Sequence, residues 1–296
     1  MEDGFKSGFV AIVGRPNVGK STLINSLLRQ KVVITSDKPQ TTRHRISCVL
    51  NKENAQVVFI DTPGLHKPHD LLGEHLNQKV TGALNEVDVI IFMVDASQVI
   101  GRGDAFIANE LSKLSTPIIL VLNKMDKIDN NDLIVQLEIG QDLGKFKEII
   151  PISALGDKNL DVLTDELVKL LPQGPKYYPD DMLTDQPEKT IIAELVREKV
   201  LELTKEEVPH SVVVKVESVD RRENKDIIDV DADIFVERDS QKGIIIGKGG
   251  KMIKEIGQRA RVDIENLLGS QVFLNLRVKV KKNWRTNENL IRDMGY

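Results

Sequence analysis

The stretch Gly14-Arg15-Pro16-Asn17-Val18-Gly19-Lys20-Ser21 fits the pattern G-x-x-x-x-G-K-S, which is typical of phosphate-binding loops. The apolar run Phe9–Val13 before it predicts a buried strand, and residues 21–28 after it predict a helix. Glycines let the backbone N–H groups of such a loop approach phosphate oxygens, and the helix N-terminus adds positive partial charge. The pattern therefore predicts a nucleoside-phosphate site built on a strand, a loop and a helix.

Two polar positions of this stretch have predicted roles. We expect the Lys20 ammonium to reach the β- and γ-phosphates and the Ser21 hydroxyl to bind Mg²⁺, a hard ion that prefers oxygen. An ordinary glycine-containing turn before a helix is the alternative, and the motifs further along the chain argue against it. The residues predicted to contact the nucleotide here are Gly14, Arg15, Pro16, Asn17, Val18, Gly19, Lys20, Ser21 and Thr22.

Two later segments are predicted to surround the γ-phosphate. In Asp61-Thr62-Pro63-Gly64, Asp61 is expected to hold Mg²⁺ through a water molecule and the Gly64 N–H to approach the γ-phosphate. The polar loop at 35–43 is expected to cover the same phosphate. We predict that Thr42, the second of two adjacent threonines, binds Mg²⁺ only while GTP is present. A plain surface turn is the alternative for this loop.

The segment Asn123-Lys124-Met125-Asp126 predicts recognition of guanine. The Asp126 carboxylate can accept hydrogen bonds from the N1–H and 2-amino groups of guanine, and adenine offers no such pair of donors. We expect Asn123 to bond the base edge and the Lys124 stem to cover the base plane. The segment Ser153-Ala154-Leu155 is expected to present a backbone N–H to the guanine oxygen.

Residues 9 to about 171 alternate apolar runs with helical patterns, which predicts an α/β fold: a doubly wound, mostly parallel sheet with helices on both faces. Ligands of such sheets bind at the carboxyl ends of the strands, and all the polar motifs fall there. The predicted strands cover residues 46–51, 57–60, 89–94, 118–122 and 149–152, and the predicted helices cover residues 71–84, 106–114 and 160–171.

A proline-rich polar segment at 173–187 predicts a linker between a first domain, residues 1–172, and a second domain, residues 188–296. The second domain is predicted to be α+β. Its pattern gives helices at 191–203 and from about 251 to 268, and strands at 212–219, 227–236 and 272–280.

Charge is unevenly distributed along the chain. The net charge is −4, yet residues 242–285 carry 11 Lys and Arg residues against 3 Asp and Glu residues. A basic block in an acidic protein favours a local anionic partner, although a solvated charged face is the simpler alternative.

The basic block contains the glycine-rich segment Ile246-Gly247-Lys248-Gly249-Gly250-Lys251-Met252-Ile253, which resembles the GxxG loop of KH domains. Such a loop lets a nucleic-acid backbone approach closely and clamps about four nucleotides, with the bases in an apolar groove between the next helix and a strand. Trp284 could stack on a base or pack within its own domain. The residues predicted to bind RNA are Ile246, Gly247, Lys248, Gly249, Gly250, Lys251, Lys254, Arg277, Lys279 and Lys281.

The motifs GRPNVGKS, QTTRH, DTPG, NKMD and SAL, in this order, resemble those of the Era family of GTPases over essentially the whole chain. The resemblance implies a Ras-like G domain followed by a type II KH domain, with GTP, GDP and Mg²⁺ as ligands. It also implies binding to the small-subunit ribosomal RNA near its 3′ end, a role in assembly of the small ribosomal subunit, and some peripheral membrane association.

Leu65 stands where Ras-like enzymes place the glutamine that orients the attacking water. Leucine cannot bond water, so we expect slow intrinsic hydrolysis and assign no catalytic residue. Two other functions stay open: a GTPase that drives metabolic or RNA-modifying chemistry, for which residues 176–296 show no catalytic cluster, and a switch whose basic block binds lipid or a protein partner.

Composition restricts which classes of protein this chain can belong to. The chain has one cysteine, which excludes an intrachain disulfide and cysteine-cluster metal sites. The acidic N-terminus lacks the apolar core of a secretory signal, and no apolar run is long enough to cross a bilayer. We expect a cytoplasmic, monomeric protein in which Cys48 is a small core residue.

Overall fold

The computed structural model describes residues 4–35, 46–61, 84, 86–205, 208–223, 226–284 and 287–293. These residues form two compact units, which are described separately. The first unit contains the described residues up to Val32 and from 46 to Asp185, and the second contains 33–35 and those from Gln186 onwards.

The first unit is built on a six-stranded sheet with the order β2-β3-β1-β4-β5-β6. Strand β2 is antiparallel to β3, and the other neighbouring pairs are parallel. The prediction of a mostly parallel sheet is thus confirmed. The strands are β1 Lys6–Gly14, β2 Ile46–Lys52, β3 Ala55–Asp61, β4 Val89–Asp95, β5 Ile118–Asn123 and β6 Glu148–Pro151.

Four helices of the described part accompany this sheet: α1 Lys20–Leu28, α2 Arg102–Leu111, α3 Asn130–Asp142 and α4 Leu160–Leu170. Helices α2 and α3 pack with the central strands in one apolar cluster, which includes Ile107 and Phe92. Helices α1 and α4 bury Leu23 and Leu163 outside that cluster. Helix α3 was not predicted, and the predicted helix at 71–84 lies outside the described residues except for Leu84.

The segment predicted to be a linker is largely fixed to the first unit. The Val49 N–H donates to the Leu183 carbonyl at 2.9 Å, and the Asp185 N–H donates to the Ser47 carbonyl at 3.3 Å. The Gln56 side chain, fully buried, accepts from the N–H groups of Tyr177 and Tyr178 at 2.7 and 3.0 Å. The C-terminal part of the second unit begins at Gln186, and the segment before it lies along β2 and β3.

The second unit has a three-stranded sheet with the order β7-β8-β9, in which β7 and β8 are antiparallel and β8 and β9 are parallel. The strands are β7 Val213–Arg221, β8 Ile227–Val236 and β9 Gln271–Val280. The helices are α5 Glu188–Leu203, α6 Val208–Ser211, α7 Asp239–Ile246, α8 Lys251–Leu268 and α9 Glu288–Asp293.

One face of this sheet is covered by helices and the other is polar. Ile234 of β8 and Val278 of β9 are paired in register and lie in the apolar cluster with Val196 of α5 and Ile256 of α8. Their neighbours along the strands point to the opposite face, because side chains alternate along a strand. Among the helices of the described part, none is long and apolar enough to cross a membrane.

Candidate nucleotide-binding site and nucleic-acid interface

The predicted phosphate-binding loop joins β1 to α1, as the sequence pattern required. Gly19 has a φ of 104°, and a Cβ placed there would lie 2.3 Å from Asn123 Nδ2. The position therefore needs glycine both for its backbone conformation and for the close approach of the second motif. The Lys20 ammonium, 9% exposed, donates to the carbonyls of Gly14 and Arg15 at 3.1 and 3.0 Å.

The loop is also fixed through the side chain of Arg15. Its Nη1 lies 3.0 Å from Oδ2 of Asp104, a carboxylate that is 2% exposed. The same oxygen accepts from the Gly101 N–H at 3.0 Å, at the start of α2. Arg15 therefore anchors the loop to α2 through its side chain. Asp104 belongs to none of the sequence motifs and was not predicted.

Asn123 connects three of the predicted motifs. Its Nδ2 donates to the Val18 carbonyl at 2.8 Å, and its Oδ1 accepts from the Ala154 N–H at 2.9 Å. The residue is 2% exposed. The ends of β5 and β6 and the phosphate-binding loop are thus brought together at one edge of the sheet.

Lys124 lies next to this junction in the left-handed region, with a φ of 68°. Its ammonium donates to the Asn17 carbonyl at 2.7 Å and to Asp95 Oδ2 at 2.6 Å. Asp95, at the end of β4, was not among the predicted site residues. A single aspartate at a strand end carries no recognisable pattern.

Asp126, which is predicted to recognise guanine, is exposed. A hydrogen bond from the Ser153 side chain lowers the pKa of Asp126 below its ordinary value. Ser153 itself is buried, and its hydroxyl also accepts from the Gly156 N–H at 3.0 Å. Leu155, the last residue of that motif, is 80% exposed.

The predicted γ-phosphate and Mg²⁺ contacts fall mostly outside the described residues. Ser21 lies in the first turn of α1. Thr42, Thr62, Pro63, Gly64 and Leu65, and the side chain of Asp61, are not described. The Asp61 backbone ends β3 and pairs with Ile12 of β1, so it lies at the same end of the sheet as the phosphate-binding loop.

The glycine-rich segment of the second unit forms a tight turn between α7 and α8. Gly247, Gly249 and Gly250 have φ values of 71°, 62° and 76°. A Cβ at Gly247 would lie 2.7 Å from Met252 Cβ, whereas a Cβ at Gly250 would meet no atom within 4 Å. Gly247 is thus needed for packing, and the Gly250 backbone is open to a ligand.

Basic side chains surround this turn, and a groove begins beside it. Lys248, Lys251 and Lys254 are all exposed. The groove lies between α8 and β9 and has a volume of about 390 Å³. It is lined by Ile253, Lys254, Gly257, Gln258 and Arg261 of α8 and by Val272, Phe273, Leu274 and Leu276 of β9.

Comparisons with known proteins cover both units. A family model described as "50S ribosome-binding GTPase" matches residues 9–124, and a KH domain model matches residues 207–285. The chain is 53% identical to GTPase Era of Alkaliphilus oremlandii over 292 residues, which is 99% of both chains. It is 50% identical to GTPase Era of a Thermoanaerobacter species over 293 residues, 99% of this chain and 97% of the relative.

This chain belongs to the Era GTPase family. Two solved Era structures each superimpose with a TM-score of 0.94 and cover 99% of both chains. One, 43% identical, is an Aquifex aeolicus Era variant bound to GDP·AlF4⁻. The other, 44% identical, is Era in complex with MgGDPNP and nucleotides 1506–1542 of 16S ribosomal RNA.

Family membership confirms the predicted resemblance and fold class: a GTPase domain followed by a KH domain. It also makes the protein a GTP-hydrolysing enzyme. The turn Gly247–Gly250 is the GxxG loop of the KH unit, and the groove between α8 and β9 lies beside it.

The basic residues predicted on β9 lie elsewhere in the KH unit. Arg277 and Lys279 are on the sheet face opposite the helices, where both pair with the fully buried carboxylate of Asp233. Lys281 directly follows β9 and is half-buried. Trp284 is fully buried, and its Nε1 donates to the Ser211 carbonyl at 2.9 Å, so it packs within its own unit.

Proposed function

We propose that this Era family member is a GTP-dependent switch that binds small-subunit ribosomal RNA through its KH unit and acts in assembly of the small ribosomal subunit. The observation that carries the proposal is the GxxG loop with three exposed lysines beside an apolar groove, in the same chain as a guanine-nucleotide site. The Era relative bound to nucleotides 1506–1542 of 16S ribosomal RNA supports the choice of RNA.

The nucleotide contacts are proposed from the residues at the sheet edge. Asp126 accepts from guanine, and the loop backbone from Gly14 to Gly19, with Lys20, holds the phosphates. Ser21, Thr42 and, through water, Asp61 would hold Mg²⁺, which when bound would neutralise charge on the phosphates. The Ser21 hydroxyl at the start of α1 is an oxygen donor of the kind that this ion prefers. The remaining contacts are Thr62, Pro63 and Gly64, Asn123 and Lys124, and the segment 153–155.

A hydrogen-bonded contact within the second unit connects the start of the loop predicted to cover the γ-phosphate with helix α5. Thr35, at the start of the loop predicted to cover the γ-phosphate, belongs to this unit. Its N–H and hydroxyl donate to Glu198 Oε1 of α5 at 2.7 and 3.2 Å. We propose that this contact links the nucleotide state of the GTPase to RNA binding by the second unit.

Affinity for an RNA fragment with the sequence of the small-subunit 3′ end tests the proposal, with protein loaded with GDP or a non-hydrolysable GTP analogue. Lys248→Ala, Lys251→Ala and Lys254→Ala together should weaken binding and reduce the slope of log K against log salt by about 2, since each phosphate contact on a single strand contributes about 0.7. The matched control replaces Lys189, Lys205 and Lys215 with alanine; these are three exposed lysines of the same unit that lie outside the loop and the groove.

The outcomes separate the parts of the proposal. Tighter binding in the GTP-analogue state supports the switch, and equal binding in both states removes gating but keeps RNA recognition. Unchanged affinity in the triple variant contradicts the assignment of the GxxG surface.

We further infer a cytoplasmic monomer whose basic KH surface also makes peripheral contact with anionic lipid, since exposed lysines are attracted to such a surface by about 1 kcal/mol each. Co-sedimentation with phosphatidylserine vesicles at two salt concentrations tests the lipid contact. Binding to neutral vesicles that equals binding to anionic ones would contradict it, and sedimentation equilibrium tests the monomer.

A further inference from the structure

Asp95 is a buried carboxylate beside the nucleotide site, and the GTPase motifs give it no role. It is the last residue of β4, is 7% exposed, and pairs in register with Asn123 at the end of β5. The Ala96 N–H donates to the Asn123 carbonyl at 2.8 Å, so the backbones of the two strand ends are joined as well.

Both oxygens of Asp95 are bonded. Oδ1 accepts from the Ser97 N–H at 3.0 Å and from the Ser97 hydroxyl at 2.6 Å. Oδ2 accepts from the Lys124 ammonium at 2.6 Å. Two hydrogen bonds from one residue fix the plane of the carboxylate, and the remaining oxygen is thereby aimed at Lys124.

Lys124 is held at both ends. Its backbone has a φ of 68°, a conformation that is unfavourable for a residue with a Cβ. Such a conformation persists where surrounding contacts impose it. Its ammonium bridges Asp95 Oδ2 and the Asn17 carbonyl of the phosphate-binding loop, at 2.6 and 2.7 Å. The side chain is 23% exposed, whereas most lysine side chains of folded proteins are largely exposed to water.

We propose that Asp95 is a positioning residue for guanine nucleotides: it holds Lys124 extended between β4 and the phosphate-binding loop, so that the lysine stem forms a fixed platform under the base. The inference rests on GTP binding at this site. The platform contacts the plane of the base and not its edge, so Asp95 affects the lifetime of every bound purine nucleotide whose base stacks there.

The decisive measurement is the release rate of a fluorescent GDP analogue from the full-length chain. Asp95→Asn keeps the shape of the side chain and removes its charge, and we expect release to be about tenfold faster, equivalent to about 1.4 kcal/mol. Affinities for GTP and ITP should fall by the same factor, because ITP differs from GTP only at the edge of the base.

A double-mutant cycle identifies Lys124 as the group through which Asp95 acts. Adding Asp95→Asn to Lys124→Ala should change the release rate less than twofold. A tenfold further change in that background would overturn the proposal.

Ser97→Ala is the milder variant, because it removes only one hydrogen bond to Oδ1 of Asp95. We expect nucleotide release to be two- to threefold faster. A wild-type release rate would contradict the role of Ser97 in aiming the carboxylate.

Asp88→Asn is the matched control for a general loss of stability. Asp88 precedes β4 at the opposite end of that strand, where its Oδ2 accepts from the Phe9 N–H at 2.7 Å. If this variant accelerated release as much as Asp95→Asn does, the positioning role would be refuted. Wild-type protein that failed to bind GDP would refute the nucleotide site itself, whereas wild-type kinetics in Asp95→Asn would refute this inference alone.

Discussion

Lys199 Nζ lies 2.9 Å from Asp263 Oδ2, and this ion pair joins α5 to α8, the helix that begins at the GxxG loop. The same ammonium contacts Glu198 at 2.9 Å and Glu202 at 3.1 Å. Burial alone would lower the pKa of Lys199, but the hydrogen bonds that its ammonium donates to Glu198 and Asp263 outweigh burial and raise the pKa above that of a free lysine. The amine therefore stays charged at neutral pH.

Lys199→Met should destabilise the KH unit by about 3–5 kcal/mol, because removing one partner of a buried ion cluster leaves uncompensated charge. The free energy of unfolding can be followed by the fluorescence of Trp284, the single tryptophan, which is fully buried in this unit. Since the folded pKa is raised, the contribution of Lys199 is complete below the ordinary lysine pKa of about 10.4 and is lost as pH rises through the higher folded value.

Lys189→Met is the control for this prediction. Lys189 lies on the same helix and its ammonium, exposed, donates to the Glu217 carbonyl at 2.8 Å. We expect a change in unfolding free energy below about 1 kcal/mol, as for other surface positions. Equal losses in the two variants would show that the cluster around Lys199 contributes no more than a surface contact.

Alanine at two positions of the GxxG loop should separate folding from RNA binding. Both positions have left-handed backbone, so each substitution costs about 1–2 kcal/mol. Gly247→Ala also places a methyl group 2.7 Å from Met252 Cβ and should lower the melting temperature further than Gly250→Ala does. Gly250→Ala adds its methyl group in open space, where it obstructs a nucleic-acid backbone, so we expect weaker RNA binding from a folded protein. A wild-type RNA affinity in Gly250→Ala would contradict this.

The parts of the site that follow strand ends could be predicted from the sequence, and helix α3 could not. Asn123 and Ser153 stand after apolar runs, so their convergence follows from a parallel sheet. Helix α3 leaves Ile134, Val135 and Ile139 exposed, so its apolar residues do not mark a buried stripe. Its one local signal was the N-cap, where Asp129 accepts from the Asp132 N–H.

The sequence also could not predict which face of the second sheet carries the basic residues of β9. Because side chains alternate along a strand, the sequence correctly predicts that Arg277 and Lys279 share one face of the sheet. Only the packing of α8 decides which face is covered by helices. The carboxylate that pairs with them, Asp233, comes from a neighbouring strand 44 residues earlier than Arg277. Such pairing depends on the register of β8 with β9, which no local pattern contains.

Arg277→Ala with Lys279→Ala should therefore reduce stability far more than RNA affinity. Burial would raise the pKa of Asp233, and hydrogen bonds from Lys279 and Arg277 outweigh it and lower the pKa. Leaving this fully buried carboxylate unpaired should cost about 3–5 kcal/mol at pH 7. Lys281→Ala is the comparison, with a smaller expected cost because this side chain is half-buried.

The pH dependence of that double variant has a definite sign. The lowered pKa means that Asp233 stabilises the wild type above the ordinary aspartate pKa of about 3.9, and that this contribution is lost as pH falls through the lower folded value. The difference in unfolding free energy between wild type and variant should thus shrink below about pH 4. A difference independent of pH would mean that Asp233 is not the partner that matters.

Ser153→Ala tests how Asp126, the carboxylate that we propose binds guanine, is held in place. The Ser153 side chain bonds to Asp126 and lowers its pKa, so in the variant the pKa should rise towards the ordinary value. GTP affinity should fall by about 2- to 12-fold, the equivalent of one hydrogen bond of about 0.5–1.5 kcal/mol. Carbon NMR of the Asp126 carboxyl group against pH measures the first effect, and equilibrium titration with a fluorescent GTP analogue at neutral pH measures the second.

Ser112→Ala is the matched control for Ser153→Ala. It removes an exposed hydroxyl bonded at 2.8 Å to the Asn109 carbonyl, and it should change neither the pKa of Asp126 nor the affinity for GTP. If the carboxyl pKa rose while affinity stayed at the wild-type value, Ser153 would tune the charge of Asp126 without orienting it towards the base.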